Sequence, residues 1–313
     1  MRYILWSGGL DSTYLLCKCA RESDEPIQPI YVLFPEVVNR GAASKEMEVQ
    51  DNLLPFIRSE RGIKADILSP LRIEEDDIPE VPSFDLAYEK VQNEDVVKNH
   101  YMYRSLGKLA EKYPGIMIGI EAPPPGRFSD NIGSTERALN SYGITIEDDG
   151  TLKLSEDGNN DMFTIFGGLK FCMAHINAEQ ELQELREWGY DDLISLVWTC
   201  CTNLPQQCGV CSNCEIKMLY GDTFKTIMPR AYVNYKIKQY LASIDEKYAL
   251  YFTIFVWGRY HLPDGIISTN IREQARTFYM SQQTAQKCTK WFNALLDNYP
   301  NFDKVNRADY GIE

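Results

Sequence analysis

Two short stretches of this 313-residue chain combine residue types that do chemistry with the spacing that chemistry needs. The first is Ser7-Gly8-Gly9-Leu10-Asp11-Ser12-Thr13. Adjacent glycines let a backbone turn sharply and bring its N–H groups against an anion. A helix starting near Asp11 would add unpaired N–H groups and the positive end of its dipole, and the hydroxyls of Ser7, Ser12 and Thr13 would add donors. The product is a phosphate cradle that lacks the lysine of a Walker loop. A tight turn whose Ser and Asp merely cap a helix uses the same residue types, but the complete string, directly after an apolar strand, favours the cradle.

The second stretch is Cys208-Gly209-Val210-Cys211-Ser212-Asn213-Cys214, with Cys200 and Cys201 a short loop upstream. Four thiolates suit tetrahedral Zn²⁺. Cys208, Cys211 and Cys214 are the expected ligands, with Cys200 or Cys201 as the fourth, and spacing alone does not choose between those two. An iron–sulfur cluster is the other metal centre such thiols could hold. Cys17, Cys19, Cys172 and Cys288 carry no partner pattern and read as small core residues. Nine cysteines, an odd number with four in metal-like spacing, point to a reducing cytoplasm rather than a disulfide scaffold.

These residues need elements to hold them, and the first thirty-odd residues supply an α/β unit. Arg2–Trp6 reads as a strand, Ser12–Arg21 as a helix and Pro29–Phe34 as a second strand, which implies a parallel pair with a right-handed crossover. A helix is expected over Lys45–Ile57 and a third strand over Ala65–Leu68. The acidic, proline-containing stretch Glu74–Glu94 reads as a surface excursion. His100–Lys112 is an expected helix, and Gly115–Ile120 a buried strand running into the turn Ala122-Pro123-Pro124-Pro125-Gly126. Ligands on open α/β sheets bind beyond the carboxyl ends of the strands, where this turn and the Ser7 loop would both lie. Glu147–Asp161 reads as a hairpin tip or insert. Ala178–Trp188 reads as a helix stopped by Gly189.

A length of 313 residues suggests about two domains, and 44% hydrophobic with 25% charged residues is ordinary for a globular chain. Residues 229–313 hold 16 of the 37 aromatics, which predicts a separate helical C-terminal domain after a catalytic domain of residues 1–228. That aromatic surplus would serve as extra core and a homodimer face, or as a surface for a protein or nucleic-acid partner. A net charge of −13 argues against general nucleic-acid binding, which needs clustered positive charge. No apolar run reaches the ~20 residues that a bilayer requires. The N-terminal run meets a glycine turn at once, which predicts no cleavable signal and a cytoplasmic protein.

The string S-G-G-L-D-S-T resembles the signature of the PP-loop ATP pyrophosphatase superfamily. That resemblance implies a Rossmann-like parallel sheet of the adenine nucleotide alpha-hydrolase type and cleavage of ATP to AMP and pyrophosphate, usually with Mg²⁺. It further implies that Ser7, Gly8, Gly9, Leu10, Asp11, Ser12 and Thr13 surround the leaving pyrophosphate, with Asp11 and Ser12 acting in catalysis. Trp198-Thr199-Cys200, seven residues, then Cys-Gly-x-Cys-x-x-Cys resembles the zinc loop of the 7-cyano-7-deazaguanine synthase family, which implies Cys200 as the fourth ligand of a structural zinc. The resemblance covers residues 1 to about 228 and is strongest at its two ends.

The family adenylates the carboxylate of 7-carboxy-7-deazaguanine, forms an amide with ammonia and dehydrates it to a nitrile, a step of queuosine biosynthesis. In the stretch equivalent to its purine loop, Arg127, Phe128 and Asp130 stand where substrate contacts are implied. The family's lysine before the Glu179 helix has no clear counterpart; His175 or Lys170 would stand in, His175 as general acid or phosphate ligand. His100 and His261 carry no implied role, and the acidic groups at Asp148-Asp149 and Glu74–Asp77 read as solvated loops. The expected product is the amide or the nitrile, with the amide a major product; a rival within this chemistry is capture by a protein or nucleic-acid amine, as proteins similar to this family in antiviral defence operons suggest. The rivals are a tRNA-modifying enzyme of the same superfamily and a non-catalytic nucleotide-binding scaffold.

Overall fold

Arg2–Leu5 forms strand β1 and Ile27–Leu33 forms β2, joined by helix α1 (Leu10–Glu22), and the two strands pair in parallel with Arg2 opposite Ile27 and Leu5 opposite Ile30. The source is a computed structural model, and the residues it describes are 1–34, 42–91, 102–122, 143–155, 160–200, 206–219 and 228–258. The chain divides into two compact units, Met1–Trp198 and Thr199–Glu313. Composition changes near Pro229, yet the division falls at Trp198 and puts the cysteine cluster with the second unit.

The first unit is α/β, built on a mostly parallel seven-stranded sheet in the order β3-β2-β1-β4-β7-β6-β5. β3 is Leu71–Glu74, β4 Met117–Gly119, β5 Ile144–Ile146, β6 Leu152–Leu154 and β7 Lys170–Cys172. β1 through β4 and β7 run parallel, whereas β5 and β6 form an antiparallel hairpin laid against β7. Strand order reverses beside β1: β2 and β3 continue to one side, β4 and β7 to the other. The apolar residues Ile4, Ile27 and Ile30 are fully buried, as strands covered on both faces require.

The third strand forms later than expected. Ala65–Leu68 contributes only an isolated bridge, Ile67 to Ile27, and the ladder to β2 resumes at Leu71. Pro70 lies between them; it has no N–H to donate and interrupts the pairing. Helix α2 spans Ala43–Ser59 and carries Pro55 inside it. The stretch expected as a surface excursion contains helix α3 (Pro82–Val91), whose Phe84, Ala87 and Val91 are buried at helical spacing. α4 is Met102–Lys112. Helix α5 (Asn160–Phe166) begins inside the stretch read as an insert and buries Met162, Ile165 and Phe166.

Helix α6 (Ala178–Glu187) matches its sequence signals. Asn177 accepts from the N–H groups of Glu179 and Gln180 while Gln180 accepts from Asn177 N–H, a complete capping box, and Gly189 takes φ +86° past the end. α7 is Asp191–Leu196. Tyr14 of α1 donates to Glu184 at 2.7 Å and stacks on Trp188 with centroids 5.5 Å apart, so α1 is pinned to α6. Burial first, and then the bonded Glu184 carboxylate, push the Tyr14 phenol up. In the second unit, α8 (Ser212–Met218), α9 (Pro229–Ile244) and α10 (Glu246–Gly258) are the described helices. Among the described residues no helix is long and apolar enough to cross a membrane.

Candidate functional site

The loop Ser7–Thr13 leaves the carboxyl end of β1 where the strand order reverses, which is where open α/β sheets form their ligand crevice. Gly8 turns at φ +79°, and Gly9 caps α1 in an extended conformation with no side-chain cap bond. A Cβ on Gly8 would meet Val49 Cγ1 at 3.1 Å, and one on Gly9 would meet Ser7 Oγ at 3.2 Å and the Trp198 carbonyl oxygen at 3.5 Å. Side chains are therefore kept out of a narrow backbone turn.

Within the turn, Ser12 Oγ lies 3.3 Å from both Ser7 N and Ser7 Oγ, and Gly9 N–H donates to Ser7 Oγ at 3.3 Å. These bonds are long, and the donors they involve suit a stronger acceptor such as a phosphate oxygen. Asp11 and Ser12 are partly exposed in the first turn of α1. Leu10 and Thr13 are buried, so Leu10 reaches a ligand only through its backbone, and Thr13 Oγ1 accepts the Trp6 indole N–H at 3.0 Å beneath the loop.

Carboxylate oxygens of Asp11, Glu121 and Glu181 lie within 4.8 Å of one another and could hold a metal ion. Glu181, in the first turn of α6, is fully buried. Oxygen ligands of this kind suit Mg²⁺. Sequence reading missed Glu121 and Glu181. The available signal for Glu121 was its place just past the carboxyl end of β4; Glu181 is brought in only by packing of α6 on α1.

The β4–β7 pairing continues past its strands through a bulge. Ile120 N–H donates to Cys172 O at 2.9 Å and Ala122 N–H to Ile176 O at 2.7 Å, so two residues on one side span four on the other. The two extra residues, Ala174 and His175, sit in a turn closed by Ile176 N–H donating to Met173 O at 2.9 Å, and Met173 enters it at φ +71°, a conformation that costs roughly 1–2 kcal/mol.

The bulge turns His175 onto the β5–β6 turn, where a Cβ on Gly150 would fall 1.6 Å from its Nδ1. Partial burial first, and then Lys18, hold the imidazole below its ordinary value, with Asp149 and Glu184 opposing. Lys170, the alternative stand-in, is the first residue of β7 at the opposite end of that strand from His175. Arg127, Phe128 and Asp130, as well as Cys201, His100, His261 and Cys288, lie outside the described residues.

In the second unit the sulfurs of Cys200, Cys208, Cys211 and Cys214 lie within 4.8 Å of one another, all buried, and could hold a metal such as zinc. Backbone N–H groups point at the sulfurs: Cys208 N to Cys200 Sγ at 3.4 Å, Val210 N and Cys211 N to Cys208 Sγ at 3.4 and 3.3 Å, and Cys214 N to Cys211 Sγ at 3.4 Å. Such donors favour thiolates. Cys200 is held below the ordinary thiol value by its bond with Cys208, while the same shared bonds push Cys208 and Cys214 up.

Helix α9 braces the knuckle. Asn234 Nδ2 donates to Cys208 O and Lys238 Nζ to Val210 O, each at 2.8 Å, and Lys238 pairs with Glu215 at 2.8 Å. Gly209 turns at φ +71°, and a Cβ there would fall 1.9 Å from the Ala231 carbonyl oxygen. Sequence reading found the cysteines but not this brace, because Asn234 and Lys238 carry no motif. Cys17, Cys19 and Cys172 are buried in the first unit, and burial pushes the Cys172 thiol up to about 12.

No protein family model and no curated protein matches the chain.

Proposed function

We propose that the protein is an ATP-dependent carbon–nitrogen ligase that cleaves ATP to AMP and pyrophosphate at the Ser7–Thr13 loop and activates the carboxylate of a 7-deazaguanine. The supporting observation is the loop itself: a glycine turn at φ +79° leading into an uncapped helix start, at the point where strand order reverses. The first unit is then a Rossmann-like domain of the adenine nucleotide alpha-hydrolase type.

In this reading the backbone N–H groups of the loop, the start of α1 and the Ser7 and Ser12 hydroxyls receive the pyrophosphate as it leaves. A carboxylate oxygen of 7-carboxy-7-deazaguanine attacks the α-phosphorus, and the bond to the β-phosphate bridging oxygen breaks. Ammonia then displaces AMP to give the amide and releases a proton. A second activation of the amide oxygen, with loss of AMP, gives the nitrile. Asp11, Glu121 and Glu181 would hold Mg²⁺, which neutralises phosphate charge when bound. Cys200, Cys208, Cys211 and Cys214 would hold a structural Zn²⁺.

Incubation with ATP, ammonia and 7-carboxy-7-deazaguanine, followed by mass spectrometry, tests the reading. Amide, or amide followed by nitrile, with one AMP per activation is expected. An unchanged carboxylate with intact ATP would contradict it.

A further inference from the structure

Trp198, the last residue of the first unit, is bound to the loop through its backbone: its N–H donates to Gly8 O at 3.0 Å, and its carbonyl oxygen faces Gly9. Its ring lies beside the first turn of α2, with Lys45 Nζ 5.3 Å from the ring centroid. The same helix presents Val49 and Gln50 to Gly8, and Gln50 donates to Trp6 O at 2.9 Å. Loop, α2 and Trp198 thus form one corner.

The Trp198 indole N–H is buried and makes no hydrogen bond to any described residue. The residue as a whole is 7% exposed. A buried donor left unpaired costs about as much as a lost hydrogen bond, and buried tryptophans usually find an acceptor. Trp6, the other tryptophan under the loop, obeys that rule through Thr13. The departure is therefore local to the residue that touches the glycines.

We infer that the Trp198 indole N–H is a ligand-binding donor of the loop site and takes an oxyanion of the bound molecule. The Lys45 ammonium over the ring, itself paired with Glu48 at 2.7 Å, and the clustered loop N–H groups favour an anionic acceptor. A phosphate of the nucleotide and the carboxylate of the second substrate share this chemistry. The inference rests on the proposed function only for that choice of source.

The test uses the full chain with its metal, labelled with ¹⁵N, and follows the five indole N–H signals during separate additions of Mg-ATP, pyrophosphate and 7-carboxy-7-deazaguanine. The Trp198 proton should move downfield and exchange more slowly with at least one of them, while the Trp6 proton, already bonded, stays in place. The addition that moves it identifies the source. Trp198→Phe, which removes the donor, should weaken binding of that molecule about tenfold to a hundredfold; the wild-type titration stands by itself if this variant does not fold. A Trp198 signal that is unchanged by all three additions would overturn the inference. A shift with pyrophosphate in a protein that never forms AMP would keep the inference and sink the ligase reading.

Discussion

The Ser7–Thr13 loop and the Cys208–Cys214 knuckle solve the same problem with different support. Each contains a glycine in left-handed conformation, Gly8 at φ +79° and Gly209 at φ +71°; the knuckle points backbone N–H groups at its sulfurs, and the loop is proposed to offer its own to a phosphate. The loop is held by the sheet around it: β1 pairs on both sides, Trp198 and α2 close the turn, and Thr13 is bonded beneath it. The knuckle brings four buried thiols together, with N–H···S bonds and a brace from α9 among its described contacts. A scaffold complete without its ligand can bind and release. Four crowded thiols could instead hold a resident metal, whose binding would then contribute to folding.

The largest expected effect follows from that difference. Chelation of the metal, or Cys208→Ser, Cys211→Ser or Cys214→Ser, should loosen the second unit and leave the first folded, because structural zinc contributes on the order of 10 kcal/mol to folding. Metal analysis should find one zinc per chain in the wild type, and limited proteolysis should cut the variants beyond Thr199 while sparing the sheet. Cys200→Ser should behave like them; Cys17→Ser should keep its metal. Unfolding of both units together on chelation would break the contrast.

The two glycines sharpen it. Gly209→Ala meets the Ala231 carbonyl oxygen at 1.9 Å, a backbone atom that cannot step aside, so α9 must move and metal affinity should fall. Gly8→Ala meets a Val49 methyl at 3.1 Å, a side chain that can give way, and should cost about 1–2 kcal/mol from the left-handed backbone. Thermal unfolding of the two variants should therefore differ clearly, with the larger loss in Gly209→Ala. Asp11→Asn and Ser12→Ala, by contrast, should leave the melting temperature nearly unchanged and lower pyrophosphate release by roughly a hundredfold or more.

Three of the four clustered cysteines were legible in sequence because they fall within seven consecutive residues, and the strand–helix–strand around the Ser7–Thr13 loop was legible because apolar runs alternate with glycine turns. What could not be read was assembled from distant positions. Glu181 and Asp11 meet because Tyr14 docks on Glu184 and Trp188. Asn234 supports Cys208 across 26 residues. Helix α3 was hidden because it lies inside the acidic, proline-containing stretch Glu74–Glu94, although its buried Phe84, Ala87 and Val91 have helical spacing. The bulge at Met173 has no glycine to announce it.

The smallest expected effect is at His175. Its imidazole is held below the ordinary 6.5 by partial burial against the hairpin turn and by Lys18. The unfolded chain then takes up the proton first, so stability is full above about pH 6.5 and declines as pH falls below it. His175→Asn should flatten that decline slightly in denaturant titrations at pH 7 and pH 5, and an equal slope in both proteins would remove the hairpin contact from the account.

The identity of the phosphate released tests the central claim most directly. If the loop receives a leaving pyrophosphate, as proposed, wild-type protein turning over ATP with 7-carboxy-7-deazaguanine should release AMP and pyrophosphate in equal amounts, and Asp11→Asn should release neither. Release of ADP and orthophosphate by the wild type would contradict the account.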